Sequence, residues 1–386
     1  MDSLPSQSLP ALSEVLRSGR LPLMDYLTQV EERFERGEPA VLAFVPEDGR
    51  FTRLRREAAV LLEQYPEPEE RPPLFGVPVG VKDIFQVKGF LTRAGSRLPP
   101  ELLQGTEADS VRRLRQAGAL ILGKTVSTEF AYFAPGPTRN PHNPAHTPGG
   151  SSSGSAAAVG AGLCPLALGT QTIGSIVRPA AFCGVVGFKP SYERIPRSGV
   201  IPLSESLDHV GFFTADVDGA ALVASLLCQE WRAGMGGWGD EVRARPVLGV
   251  PEGPYLEKAS AEGLAHFRET CGRLADAGYE VKPVAAMADF QEIVARHQTI
   301  VAAEAARFHA GWFARYEELY HPKTAELIRR GQAVSEAELA GARAGRQKLR
   351  HELEAVMGRA GLGLWLSPAA PGPAPTGLDS TGDPVM

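Results

Sequence analysis

Cysteine is scarce in this chain of 386 residues: there are four, Cys164, Cys183, Cys228 and Cys271, with no CxxC spacing. Neither a zinc ligand set nor a disulfide framework is signalled, and the four read as reduced thiols in apolar or helical surroundings. Long apolar runs are missing too. The longest, Ala156 to Gly169, is too short to span a bilayer and is interrupted by Pro165. The amino-terminal stretch has no basic start leading into an apolar segment, so no leader is read there and a cytoplasmic location is expected. Positive charge is not in excess either. Lys and Arg number 40 against 45 Asp and Glu, a net charge of -5, and the basic residues are dispersed among acids. Neither nucleic acid nor a membrane is expected as a partner.

What is present is an ordinary globular composition, 43% hydrophobic and 22% charged, long enough for a substantial core. Pro22 to Arg36 places Leu23, Tyr26, Leu27, Val30 and Phe34 on one helical face. A second helix is read over Thr52 to Gln64. Strands are read at Gly76 to Val81, Ala119 to Leu122, Leu166 to Leu168 and Val185 to Phe188, with a helix over Ser110 to Ala117 between the first two and another over Ser152 to Gly162. Ser175 opens a helical turn that Pro179 is expected to end. Further along come a helix at Ala215 to Leu227, a strand at Val247 to Val250, a helix at Ala261 to Ala277, a strand at Tyr279 to Val284, and a mostly helical stretch from Asp289 to Ala360 broken near Tyr320 to Lys323. Strands and helices alternate, which predicts an α/β sheet with helices on both faces.

Three residues, each in a glycine-bearing segment, carry the chemistry: Lys82 in GVPVGVKDIF, Ser151 in PGGSSSGSAAAVG, and Ser175 in LALGTQTIGSIVRPAAFCG. A hydroxyl attacks poorly at neutral pH unless a base removes its proton, and the only base embedded in these motifs is a lysine. A Ser-Ser-Lys relay follows as the sharpest reading. Each part alone has a plainer one. GGSSSGS by itself is a flexible loop, and Lys82 by itself is a solvated strand-end lysine or an ion-pair partner of Asp83. Gly150 to Gly154 satisfies G-x-S-x-G with Ser152 at its centre, but the preceding NPHNPAHTPGG is broken by proline and supplies no strand for a nucleophile elbow. Ser152 and Ser155 read instead as helix-start hydroxyls that satisfy free N–H groups. His142 and His146 lack a third ligand for a metal and read as loop or substrate-entrance residues. Phe308, Trp312, Phe313 and Tyr316, at helical spacing, read as core packing.

Taken in order, GVPVGVKD, GKTVSTEF, PGGSSSGSAAAVG, GTQTIGSIVRPAAFCGVVGFKPS and IPRSGVIP, dense from Gly76 to Leu207, resemble the amidase signature family, as do the separations of Lys82, Ser151 and Ser175. The resemblance implies a mixed, largely parallel, twisted central sheet flanked by helices on both faces, with an added helical layer. It implies one domain over 1–386: a helical segment at 1–70, the signature core at 71–230, and a helical, substrate-side region at 231–386. By the same resemblance Ser175 is the acylated nucleophile, Ser151 the bridging serine after a cis peptide from Gly150, and Lys82 the terminal base, kept neutral by burial among Val79, Val81 and Ile84. The N–H groups of Thr172, Ile173 and Gly174 are then placed to receive an oxyanion, with Gln171, Arg178 and Ser152 beside them.

No cofactor and no metal is expected, the partner is a small-molecule amide, and a homodimer is compatible with the chain. Gln171 stands where the family has an aspartate, Ile173 where it has a glycine, and Val177 where it has an arginine, with Arg178 displaced by one. Gln171 can only hydrogen-bond, so Arg178 has to reach in from another direction. The family runs on by some tens of residues after a stretch like LSPAAPGPAPTG, so a C-terminally shortened form with an exposed sheet edge is expected of a chain ending at Met386. The leading expectation is a cofactor-independent amidase. The alternatives are the glutaminase subunit of an aminoacyl-tRNA amidotransferase and, in another class, an inactive scaffold.

Overall fold

Central parallel strands are covered on both faces and are therefore near-continuously apolar, and the first strands of this chain are buried along their whole length. The computed structural model describes residues 8–231 and 245–385. The first seven residues and Met386, on which the reading of the two ends partly rests, lie outside the described residues. The elements in chain order are α1 (Leu9–Arg17), α2 (Leu23–Val41), α3 (Arg50–Gln64), β1 (Pro78–Lys82), α4 (Asp109–Gln116), β2 (Leu120–Thr125), α5 (Ser153–Gly160), β3 (Leu166–Gln171), α6 (Val177–Cys183), β4 (Val186–Phe188), β5 (His209–Thr214) and α7 (Val217–Leu227). There follow β6 (Leu248–Glu252), α8 (Ala261–Asp276), β7 (Val281–Ala285), α9 (Phe290–Tyr316), α10 (Pro322–Gln332), α11 (Glu336–Ala360) and β8 (Leu364–Trp365).

The described residues group into two compact units, one of 8–231, 316–324 and 374–382 and one of 245–315, 325–373 and 383–385. The first unit holds a five-stranded sheet in the order β2-β1-β3-β5-β4. Strand β1 runs parallel to β2 and β3, while β5 is antiparallel to β3 and β4. The second unit holds a parallel three-stranded sheet in the order β7-β6-β8. The class is thus α/β with mixed, largely parallel pairing. Two of the long helices start on side-chain caps: Ser260 accepts from Gly263 N at the start of α8, and Ser335 and Glu338 form a capping box at the start of α11.

Helix α5 sets the geometry of the site. Its sequence, SGSAAAVG, is buried at every position but the last, and it packs against β1, β2, β3 and β5. Only small side chains allow that approach: a Cβ on Gly154 would lie 2.2 Å from Ala43 O and 2.4 Å from Val126 N. The Gly154 N–H donates to Val126 O at 3.0 Å. The start of α5 is therefore locked to the carboxyl ends of the strands.

Several expectations are corrected. Pro179 does not end a turn. It sits in the first turn of α6, where its missing N–H has no intrahelical partner to lose, and the helix continues to Cys183 before Gly184 closes it at φ 65°. Strand β3 continues past Leu168 to Gln171. Ser152 makes no side-chain cap; its hydroxyl donates to Thr170 O at 3.1 Å and accepts from Thr170 N at 3.2 Å. Ser155 donates to Leu168 O at 2.8 Å and lies 2.7 Å from Thr125 Oγ1. A helix pressed so close to the sheet turns its hydroxyls to strand main chain. Helix α1 and strand β5, unread in the sequence, are both present.

The four cysteines are free, three of them buried and Cys271 half-buried. Phe313 is buried, and Phe308 meets Trp312 edge-on at 5.4 Å. Among the described residues no helix is long and apolar enough to cross a membrane.

Candidate active site

Lys82 is the last residue of β1, the strand between β2 and β3, and its side chain is fully buried. Its Nζ donates to Ser151 Oγ and to Thr170 Oγ1, each at 2.8 Å. Burial pushes this ammonium from 10.5 down to about 7, against the opposing pull of the Asp208 charge. Asp83, the neighbour in sequence, is not its partner. Asp83 pairs at 2.8 Å with Lys124, which also donates to Phe85 O at 2.8 Å and Thr92 Oγ1 at 3.0 Å.

Ser151 enters from a tight loop. Gly149 sits at φ 81°, where a Cβ would lie 2.8 Å from Pro179 Cα, so only glycine fits. The Gly150–Ser151 peptide is cis. The Gly150 carbonyl accepts from the Arg178 guanidinium at 2.6 Å, and the same guanidinium reaches Thr381 Oγ1 at 3.3 Å and Gly382 O at 3.2 Å. Arg178 thus lies against the peptide that precedes Ser151 and ties it to the 374–382 segment. His146 and Thr147 bind that segment as well: His146 Nδ1 lies 2.7 Å from Ala374 O, and Thr147 N donates to Pro375 O at 3.1 Å. His142 Nε2 lies 2.9 Å from Cys183 O. Among the described residues no group of three or more His, Cys, Asp or Glu is arranged to hold a metal.

The loop from Gln171 to Ser175 joins β3 to α6. The Gln171 side-chain oxygen accepts from Ile176 N at 2.9 Å and Val177 N at 3.0 Å, so a neutral amide ties the two ends of the loop together. Thr172 Oγ1 donates to Asp208 Oδ1. Among the described residues the main-chain N–H groups of Thr172, Ile173 and Gly174 have no backbone partner, which leaves three donors on one short arc. Ser175 is buried, 8% exposed, and its hydroxyl has no hydrogen-bond partner among the described residues. The contact of Lys82 with Ser151 is made; a hydrogen bond from Ser175 to Ser151 is not.

The profile of the Amidase family matches residues 32–385. The chain belongs to the amidase family. A family relative, a glutamyl-tRNA(Gln) amidotransferase subunit from Synechococcus sp. (strain RCC307), is 35% identical over 360 residues, 85% of this chain and 70% of that one. Among solved structures, a crystal structure of an amidase superposes with a TM-score of 0.85 at 36% identity, covering 96% of this chain and 83% of that one. The native peptide amidase from Stenotrophomonas maltophilia superposes with a TM-score of 0.78 at 26% identity, covering 98% and 88%.

Two residues of this amidase-family site escaped the sequence reading. Thr170, inside the quoted motif, had no role assigned, yet it receives one of the two hydrogen bonds of Lys82. Asp208, in SESLDHVG, belongs to no motif of the reading. It accepts from Thr172 Oγ1, Leu203 N at 2.8 Å and Ser204 N at 3.0 Å, and burial pushes its carboxyl up. A signal for it existed. The β-prone run HVGFFT marks β5, and the antiparallel register that sets Gln171 opposite His209 brings residue 208 beside residue 172.

Proposed function

We propose that the chain is an amidase that hydrolyses a linear carboxylic amide through an acyl-enzyme on Ser175. The observation that carries this reading is the 2.8 Å contact of Lys82 Nζ with Ser151 Oγ, made by a lysine that burial brings to about 7. Neutral Lys82 accepts the proton of Ser151 while Ser151 takes that of Ser175, and the Ser175 oxygen attacks the amide carbon. The carbonyl oxygen becomes an anion facing the N–H groups of Thr172, Ile173 and Gly174. The proton held on Lys82 returns through Ser151 to the nitrogen, the carbon–nitrogen bond breaks, and ammonia or an amine leaves. Water then attacks the ester carbonyl, losing its proton along the same relay, which returns a proton to Ser175 as the carboxylate departs. No step calls for a metal or a cofactor.

A second reading, the glutaminase subunit of an amidotransferase, is favoured by the 35% identity to the Synechococcus protein. Gln171 and the displaced Arg178 lean away from it. Ammonia release from aliphatic, aromatic and amino-acid amides separates the readings: the purified chain is expected to turn over simple amides alone, and Ser175→Ala to lose on the order of 10³-fold or more. Turnover confined to glutamine and raised by partner subunits and tRNA supports the second reading. A folded chain releasing no ammonia from any of these contradicts both and leaves the scaffold.

A further inference from the structure

We propose that Asp208 is a positioning residue for this reaction, one carboxylate that anchors the oxyanion-facing loop through Thr172 and faces Lys82 with the counter-charge for its protonated form. The inference rests on the reading above. Three donors converge on the carboxylate: Thr172 Oγ1 on one oxygen, and Leu203 N and Ser204 N, at 2.8 and 3.0 Å, on the other. Thr172 begins the arc of N–H groups that follows β3, so its side chain fixes where that arc starts, while Gln171 fixes the end at Ile176 and Val177. The loop is held at both ends by side chains, and Asp208 is one of the two anchors.

The second half of the proposal is electrostatic. When the Ser175 proton arrives on Lys82, an ammonium forms in a site closed to water, where it is costly without an opposite charge. Lys82 bonds the hydroxyls of Ser151 on the loop before α5 and Thr170 on β3, both neutral; the charge that acts on it is that of Asp208, which the β3–β5 register sets beside Thr172, two residues beyond Thr170. Asp208 in turn faces Thr172, the two main-chain N–H groups and Lys82. His209, beside it in sequence, turns its Nδ1 to Leu207 O at 2.7 Å, and the charges acting on that ring are Lys189 and Arg197. Burial pushes the Asp208 carboxyl up, and the bonds from Thr172, Ser204 and Leu203 together with the Lys82 charge pull it back; the ionised form is the one that serves an ammonium as counter-charge.

The two halves are separable by mutation. Asp208→Asn removes the charge, and Thr172→Val removes the anchor while leaving the charge. An opposite charge raises a lysine's affinity for its proton, so Asp208→Asn is expected to move the acid limb of kcat/KM down by about one pH unit and to lower its plateau. Thr172→Val is expected to lower kcat about tenfold, with KM within about twofold and the acid limb unmoved. Asp208→Glu, which restores the charge, is expected to bring the limb back. An Asn amide meets the Leu203 and Ser204 donors poorly, so Asp208→Asn is checked by near-UV circular dichroism; should it not fold, Thr172→Val decides. A parental kcat in Thr172→Val, or an unmoved limb in folded Asp208→Asn, overturns the inference. Ser175→Ala is assayed alongside: if it keeps parental turnover, the Ser175 reading itself falls, and if it is inactive, these outcomes bear on Asp208 alone.

Discussion

A lysine with no exposed surface is expensive to charge, and Lys82 is such a lysine. Two hydroxyls and one carboxylate surround it, and its proton affinity falls to about 7 from 10.5. Between those values the unfolded chain binds a proton that the folded chain does not. The cost of burying the ammonium is complete below about pH 7 and fades as the pH rises toward 10.5, so stability climbs across that window. Lys82→Met, which has no proton to bind, is expected to show a Tm advantage over the parent, or a smaller deficit, at pH 6, and to lose it steadily up to pH 10 in differential scanning calorimetry. A Tm difference constant over that range contradicts the burial account. Lys82, Ser151 and Ser175 were legible as candidates because each sits inside a glycine-bearing motif. Asp208 was not, because its contact with Thr172 is made at distance, between the residue before a strand and a loop 36 residues earlier. The shifted Arg178 was flagged by its position, but its contact with the Gly150 carbonyl is a matter of where the chain folds back.

At the scale of elements, the site is a meeting of three pieces: the end of β1, the start of α5 and the turn from β3 into α6. Helix α5 is the tightest of them. A methyl group on Gly154 would press on Ala43 O and Val126 N, main-chain atoms that cannot swing aside. Gly154→Ala is therefore expected to destabilise by about 1–3 kcal/mol, read as a lower urea midpoint at unchanged m-value; a midpoint equal to the parent's contradicts the packing described. Long helices with periodic apolar faces, such as α2 and α8, were read to within a few residues. Strand β5 went unread because it is buried on both faces after its first residue and so carries no period-2 alternation. The reading of Pro179 as a stop failed because proline breaks a helix only beyond its first turn.

At the scale of the whole molecule, the family, the α/β class and the largely parallel pairing were all accessible from the order of the motifs. The grouping of the described residues into two units, each with its own sheet, was not: strand alternation alone does not say which strands pair. The long helices after Asp289 are equally silent in sequence, since they carry packing patterns rather than chemistry. What the family membership leaves to experiment is whether a neutral lysine, working through Ser151, activates Ser175. An activated fluorophosphonate answers this most directly, with the adduct located by peptide mass spectrometry and its rate followed from pH 5 to 9. The account predicts one adduct per chain on Ser175, a rate that rises through about pH 7, and loss of that rise in Lys82→Met. An adduct on another residue, none on the folded protein, or a rate indifferent to Lys82 would contradict it.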